Sequence, residues 1–172
     1  MHVVGNRSIR KIGKTAPGEL IRFSNDRIVS LGIVISKRDN EAFIAVLDDP
    51  YEGHPRLIFE SNNHECLSYG TNWCLEPCEG AEAYPSRHEL NRRPGVLALM
   101  GDHWFMSIAT SDTDPMGRFN FEWVNLSEPA IATDTVRGAY FASWKIWLDG
   151  ERLNSHREPL FQFEAKSTAP KA

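Results

Sequence analysis

Residues 18–50 read GELIRFSNDRIVSLGIVISKRDNEAFIAVLDDP. Three apolar runs, 19–23, 27–36 and 41–47, are rich in Ile, Val, Leu and Phe. Ser24-Asn25-Asp26 and Lys37-Arg38-Asp39-Asn40 separate them, and Asp48-Asp49-Pro50 closes the stretch. Branched and aromatic residues in short runs, bounded by Asn, Asp, Gly and Pro, are strand signals. Three consecutive strands are therefore predicted. The same grammar continues through runs at 56–60, 64–69, 72–76, 96–100, 103–110, 118–126, 138–148 and 159–164. Turn clusters separate them at Gly101-Asp102, Asp112 to Gly117 and Asp149-Gly150. The last is the dipeptide that a type I′ hairpin turn favours. Many short strands at this spacing predict an all-β protein of small-barrel or sandwich architecture.

One segment reads as helix. Pro85-Ser86-Arg87-His88-Glu89 has a capping-box pattern, with Ser86 as N-cap and Glu89 three residues on. Pro94 disfavours a helical Arg93, so this helix would be short, over 86–92. It divides the chain into a basic N-terminal arm (1–16), a first β-lobe (17–84), a helix and linker (85–93), a second β-lobe (94–165) and a tail (166–172). PGELIRFSNDRIVSLG at 17–32 aligns with PGVLALMGDHWFMSIA at 94–109, which either relates the two lobes or reflects the pattern that any two β-hairpins share. The opening GELIRF, LGIVIS and FIAVL resemble, in apolar spacing, the first three strands of a small SH3-like barrel. Such barrels occur in ribosome-associated, RNA-binding and toxin–antitoxin proteins. The resemblance implies a fold and assigns no role to any residue.

The formal net charge of −4 is unevenly spread. Residues 1–40 carry eight basic and three acidic side chains, residues 41–89 two and ten, and residues 90–172 nine and ten. Blocks of one sign bear on partners more than on fold. Apolar runs such as Val96 to Met100 and Ala42 to Leu47 are far short of the ~20 residues a membrane-spanning helix needs. No secretory signal pattern opens the chain. Three cysteines, an odd number, argue against a closed disulfide framework, so a reducing cytoplasmic setting is expected.

NHECLSYGTNWCLEPCEG at 63–80 holds all three cysteines. A hairpin centred on Gly70 would set Cys66 opposite Cys74 and His64 opposite Glu76. Leu67, Tyr69, Trp73 and Leu75 would then face inward, with His64, Cys66 and Cys74 outside. The Cys74-x3-Cys78 spacing suits a zinc pair, so His64, Cys66, Cys74 and Cys78 are the candidate metal set, ranked below a reactive thiol pair of Cys66 and Cys74. No cofactor is otherwise implied.

Strand alternation puts Phe119, Phe121 and Trp123 on one face, expected to be core. It puts Tyr140, Trp144 and Ile146 on one face and Phe141, Lys145 and Trp147 on the other. Trp147 with Lys145 is thus an outward interface candidate, since exposed aromatics mark binding surfaces. Phe161 and Phe163 share a face. Arg7, Arg10, Lys11 and Lys14 could contact phosphate, although a frayed and dispensable terminus is the plainer reading. Asp102-His103, Asp112, Asp114 and the Asp48-Asp49 loop with Glu52 and His54 are the acid–base candidates. Adjacent strand positions should keep Asp102 from orienting His103. No nucleophile elbow, phosphate loop, dinucleotide fingerprint or zinc-protease motif occurs. The expected function is a non-enzymatic cytoplasmic module that binds a protein partner through an acidic and aromatic β-surface. Nucleic-acid binding through the basic arm is the alternative, and an enzyme with scattered residues is the third reading.

Overall fold

The apolar run that opens the chain folds into a meander. In the computed structural model, which describes residues 7–25, 28–50, 53–78, 94–113, 119–133, 136–148 and 158–164, β1 (Ser8–Lys11) leads through a 3-10 turn (Ile12–Lys14) to β2 (Leu20–Asn25), β3 (Ile28–Arg38), β4 (Glu41–Val46) and β5 (Arg56–Ser61). β6 (Glu65–Gly70) and β7 (Cys74–Pro77) complete the first half. The second half holds β8 (Leu97–Met100), β9 (His103–Thr113), β10 (Phe119–Asn125), β11 (Ala130–Ile131), β12 (Ala139–Phe141), β13 (Ser143–Trp147) and β14 (Phe161–Glu164). The all-β expectation holds among the described residues. The helix expected at 86–92 lies outside them, as does the tail at 166–172. No helix among the described residues is long and apolar enough to cross a membrane.

Eleven strands form one mixed sheet and three form a second. The large sheet runs β1-β6-β2-β3-β4-β5-β9-β10-β11, with β8 beside β9 and β12 beside β8. β6 returns to lie against β2, so the first strand of the β2–β5 meander is flanked by the strand that follows the meander. β5 meets β9 in parallel, through Arg56 opposite Ala109. The order does not return on itself, so the large sheet is not a closed barrel. The small sheet is β14-β13-β7.

Burial explains why the opening runs do not alternate. β3 sends Leu31, Ile33 and Ile35 into the main core, and β4 adds Phe43 and Ala45. From the opposite face Val34, Ala42, Ile44 and Val46 enter a second cluster with Ile21, Phe23 and Cys66. A strand covered on both faces reads as a continuous apolar run. The main core also takes Leu97, Met106, Ile108, Val124, Trp144, Ile146 and Phe163 from the second half. The two halves thus share one core. Both open on Pro-Gly, with Gly18 at φ 84° and Gly95 at φ 90°, and both continue into a hairpin. Their registers differ, because Leu20 faces Ile33 whereas Leu97 faces Met106. A Cβ on Gly95 would fall 2.2 Å from Phe163 Cζ, so the close approach as well as the φ requires glycine.

Two sequence expectations change here. The basic arm is not frayed from Ser8 onward. β1 pairs with β6 from Ser8↔Ser68 to Lys11↔Glu65, and Ile12 is fully buried under the second cluster. The aromatic stripe on β10 is also not the deepest face. Val124 is fully buried, Phe121 and Trp123 are half-buried, and the Phe119 side chain lies outside the described residues. Trp123 instead packs its ring 6.0 Å from Tyr140 in a third cluster. The central tryptophan is Trp144, which stacks on Phe163 at 5.2 Å and donates its indole N–H to Gly95 O at 2.7 Å.

Trp144→Ala should therefore destabilise the chain by about 3–5 kcal/mol in urea unfolding, and Trp123→Ala by clearly less. Equal losses would overturn this assignment of the core. Removing residues 1–14 takes away Ile12 and the β1 ladder, so calorimetry should register a marked fall in Tm, with Ile12→Ala alone costing about 2–5 kcal/mol.

Candidate binding cleft

A cleft of about 360 Å³ opens between the two halves, within the range of small-ligand and peptide pockets. One wall consists of Pro17 and Gly18, ahead of β2, with Thr71, Trp73 and Leu75 on the segment from β6 into β7. The facing wall consists of Trp104 on β9 with Leu126, Ser127 and Pro129 from the turn after β10. Among the described residues that line it none is charged.

Short-range chemistry fixes each wall. On the first, Ala16 N donates to Glu19 Oε1 at 2.9 Å and Glu19 N to Ala16 O at 3.1 Å, closing a tight turn. The positive φ of Gly18 suits that turn, and Gly18 N reaches Val34 O at 2.7 Å. Trp73 then donates its indole N–H to Gly18 O at 2.9 Å, which pins its ring to the turn. On the second wall, Asn125 Oδ1 accepts from Ser127 N at 2.9 Å and Glu128 N at 3.0 Å. This is the local side-chain-to-backbone bonding that Asn supplies in turns. Trp104 N donates to Ser127 Oγ at 3.0 Å, and Leu126 N donates to Trp104 O at 2.7 Å. The Trp104 ring leans on Phe141 at 5.4 Å. Among the described residues its indole N–H meets no acceptor.

Beside this wall lie three titratable groups. His103 Nδ1 is 2.7 Å from Asp102 Oδ1, and its Nε2 is 3.8 Å from Glu128 Oε1. The Asp102–His103 contact corrects the expectation from alternation. Asp102 belongs to the turn at Gly101, where φ is 65°, and the alternating strand starts only at His103. Asp102 and Glu128 are 93% and 79% exposed, so this is a solvated rim and not a buried catalytic dyad. A second hollow of about 530 Å³, lined by Met100, Phe105, Glu128 and Ile131 among others, lies across the Leu126–Pro129 turn and shares Pro129 with the cleft.

The structure does not bring the cysteine set together. β6 already has β1 on one edge and β2 on the other, so no edge remains for β7. The chain leaves the large sheet after Gly70, and β7 joins β13 instead. Cys66 lies opposite Phe23 and Arg10 in the second cluster, 3% exposed. Burial and the nearby Glu19 carboxylate push its thiol up to about 11, with Arg10 acting the other way, so it is a poor nucleophile at neutral pH. Cys74 faces Trp147, and Cys78 N donates to Ser143 O at 2.9 Å. His64 is exposed, its Nδ1 2.6 Å from Glu60 Oε1 rather than facing Glu76. No group of three or more His, Cys, Asp or Glu among the described residues is placed to hold a metal ion.

The remaining candidates are dispersed. Trp147 is half-buried and donates its indole N–H to Glu76 Oε2 at 2.7 Å, on the face that Lys145 shares. Arg10 is held by Ser8 Oγ and lies 3.5 Å from Glu19 Oε1, and Arg7 sits over the Tyr69 ring at 5.5 Å. Lys11 and Lys14 are exposed. In the Asp48-Asp49 loop, Asp49 is buried against Arg56 and Asp48 accepts from Leu31 N. Glu52, Asp114 and the side chain of Asp112 lie outside the described residues. Comparison with known proteins found no matching family model, curated protein or solved structure.

Desolvation raises the Asp48 carboxyl above its ordinary range, opposed by the Leu31 N–H and Arg22. The folded chain therefore binds this proton more tightly than the unfolded chain, so protonation of Asp48 favours folding. Asp48→Asn keeps an acceptor for Leu31 N without the buried charge. Its stability relative to the parent should be highest near neutral pH and decline towards about pH 4, as the parent's Asp48 protonates. Urea unfolding at both pH values checks this, and a difference that grows in acid would contradict it.

Proposed function

We propose that this chain is a non-enzymatic interaction module of the cytoplasm that binds a protein partner in the cleft between Trp73 and Trp104. The observation that carries the reading is the pair of tryptophans on opposed, hydrogen-bonded walls of an uncharged cleft. Aromatic side chains in a preformed pocket are typical anchors of protein interfaces, because they bury much area at small entropic cost. The acidic rim of Asp102 and Glu128 suits a partner with a basic patch and would speed encounter at low salt. The strand order β6-β2-β3-β4-β5 matches that of small SH3-like barrels, which favours a barrel-derived first half serving as scaffold.

An acid–base reading has less support, because the groups beside the cleft are largely solvated. Nucleic-acid binding would have to use Arg7, Lys11 and Lys14, with Arg10 already engaged. The test is affinity capture from native lysate at low and high salt, with and without nuclease. The parent chain should retain a protein at low salt that Trp104→Ala and Thr71→Arg both lose while keeping the parent circular dichroism. Thr71 is exposed at the cleft, so the arginine should block it without cutting into the core. Retention unchanged in both variants would sink the cleft reading, and retention abolished by nuclease would move the site to the basic residues.

A further inference from the structure

Resting on the cleft reading, we infer that the ligand is an extended peptide segment that places an apolar side chain between Trp73 and Trp104 and a Lys or Arg against Asp102 and Glu128. Three observations converge on this chemistry.

The first is charge. Among the described residues neither Asp102 nor Glu128 pairs with a Lys or Arg, and both are well exposed beside His103. Among the described residues that line the cleft none is charged. An uncharged seat beside two exposed carboxylates complements an apolar residue next to a cation and repels an acidic segment.

The second is an open donor. Trp73 has spent its indole N–H on Gly18 O, whereas among the described residues Trp104 has no acceptor for its own. A bound group that covers that N–H must supply a carbonyl or leave it dehydrated and unpaired, which is unfavourable. An extended peptide presents backbone carbonyls that are not engaged with one another, as a helix does not.

The third is shape. The cleft and the second hollow share Pro129, so the two depressions adjoin at the turn, and Glu128 lines the second. Two adjoining depressions fit a chain whose alternate side chains point the same way. Asn125 already holds the turn through Ser127 N and Glu128 N, so little ordering is needed on binding.

A displayed library of random octapeptides, panned on the parent chain and counter-selected on Thr71→Arg, tests the inference. Enriched peptides should carry an apolar residue within one or two positions of Lys or Arg. Their binding, followed by fluorescence anisotropy, should weaken about tenfold in Asp102→Asn/Glu128→Gln and lose most of its salt dependence. Cleft-dependent peptides without a basic residue, or ones indifferent to the double variant, would overturn the inference and leave the cleft reading standing. No peptide distinguishing the parent from Thr71→Arg would overturn both, as would a glycan array in which binding to sugars alone is lost in Trp104→Ala.

Discussion

The carboxylate of Glu19 joins more of this molecule than any other polar group described. It is 7% exposed, and a charge so far from water is tolerated only with donors around it. Ala16 N, Ser68 Oγ at 2.5 Å and Arg10 at 3.5 Å supply them. Each donor comes from a different piece of the fold. Ala16 belongs to the turn that enters β2, Ser68 to β6 and Arg10 to β1. The same turn presents Gly18, whose carbonyl fixes Trp73 and where an added Cβ would fall 3.1 Å from Pro129 Cγ of the opposite wall. The cleft geometry therefore depends on a buried carboxylate that follows Gly18 in the chain but is not itself among the residues lining the cleft.

Much of the fold was legible because it is local. The hairpins β2–β3, β3–β4 and β8–β9 follow from apolar runs and the turn residues between them. The pairings that determine the architecture are not local. The return of β6 to β2, the parallel meeting of β5 with β9 and the assembly of β7 with β13 are settled by which edges are free and which faces remain uncovered. Ile9 to Ile12 shows the same limit. Four basic residues between Arg7 and Lys14 dominate the appearance of this part of the chain, yet one isoleucine, Ile12, decides its place by covering Phe23 and Cys66.

The candidate site was less legible than the fold. Trp73 read as an inward residue and Trp104 as an unremarked member of a strand. Their juxtaposition depends on contacts such as Trp73 to Gly18, 55 residues apart in sequence. The local signal that could have pointed to it is Asn125-Leu126-Ser127-Glu128-Pro129, an Asn-led turn closed by proline after an aromatic strand. The cysteine cluster points the opposite way, because proximity in sequence is not proximity across a hairpin. Tight spacing brings side chains together only if the intervening turn closes, and here the edge it needed was occupied.

The small sheet has a consequence for how the chain is made. Trp144 enters the core between Gly95 and Phe163, and Phe161 leans on its other side at 5.6 Å. Chains emerge from the ribosome amino end first. The β2–β5 meander can therefore form early, but Leu31, Ile33 and Leu57 lack their lid until residues 161–164 have been synthesised. Until then the nascent chain carries an unsealed apolar surface. Emergence of β14, rather than formation of the first hairpins, is the step that completes its cover.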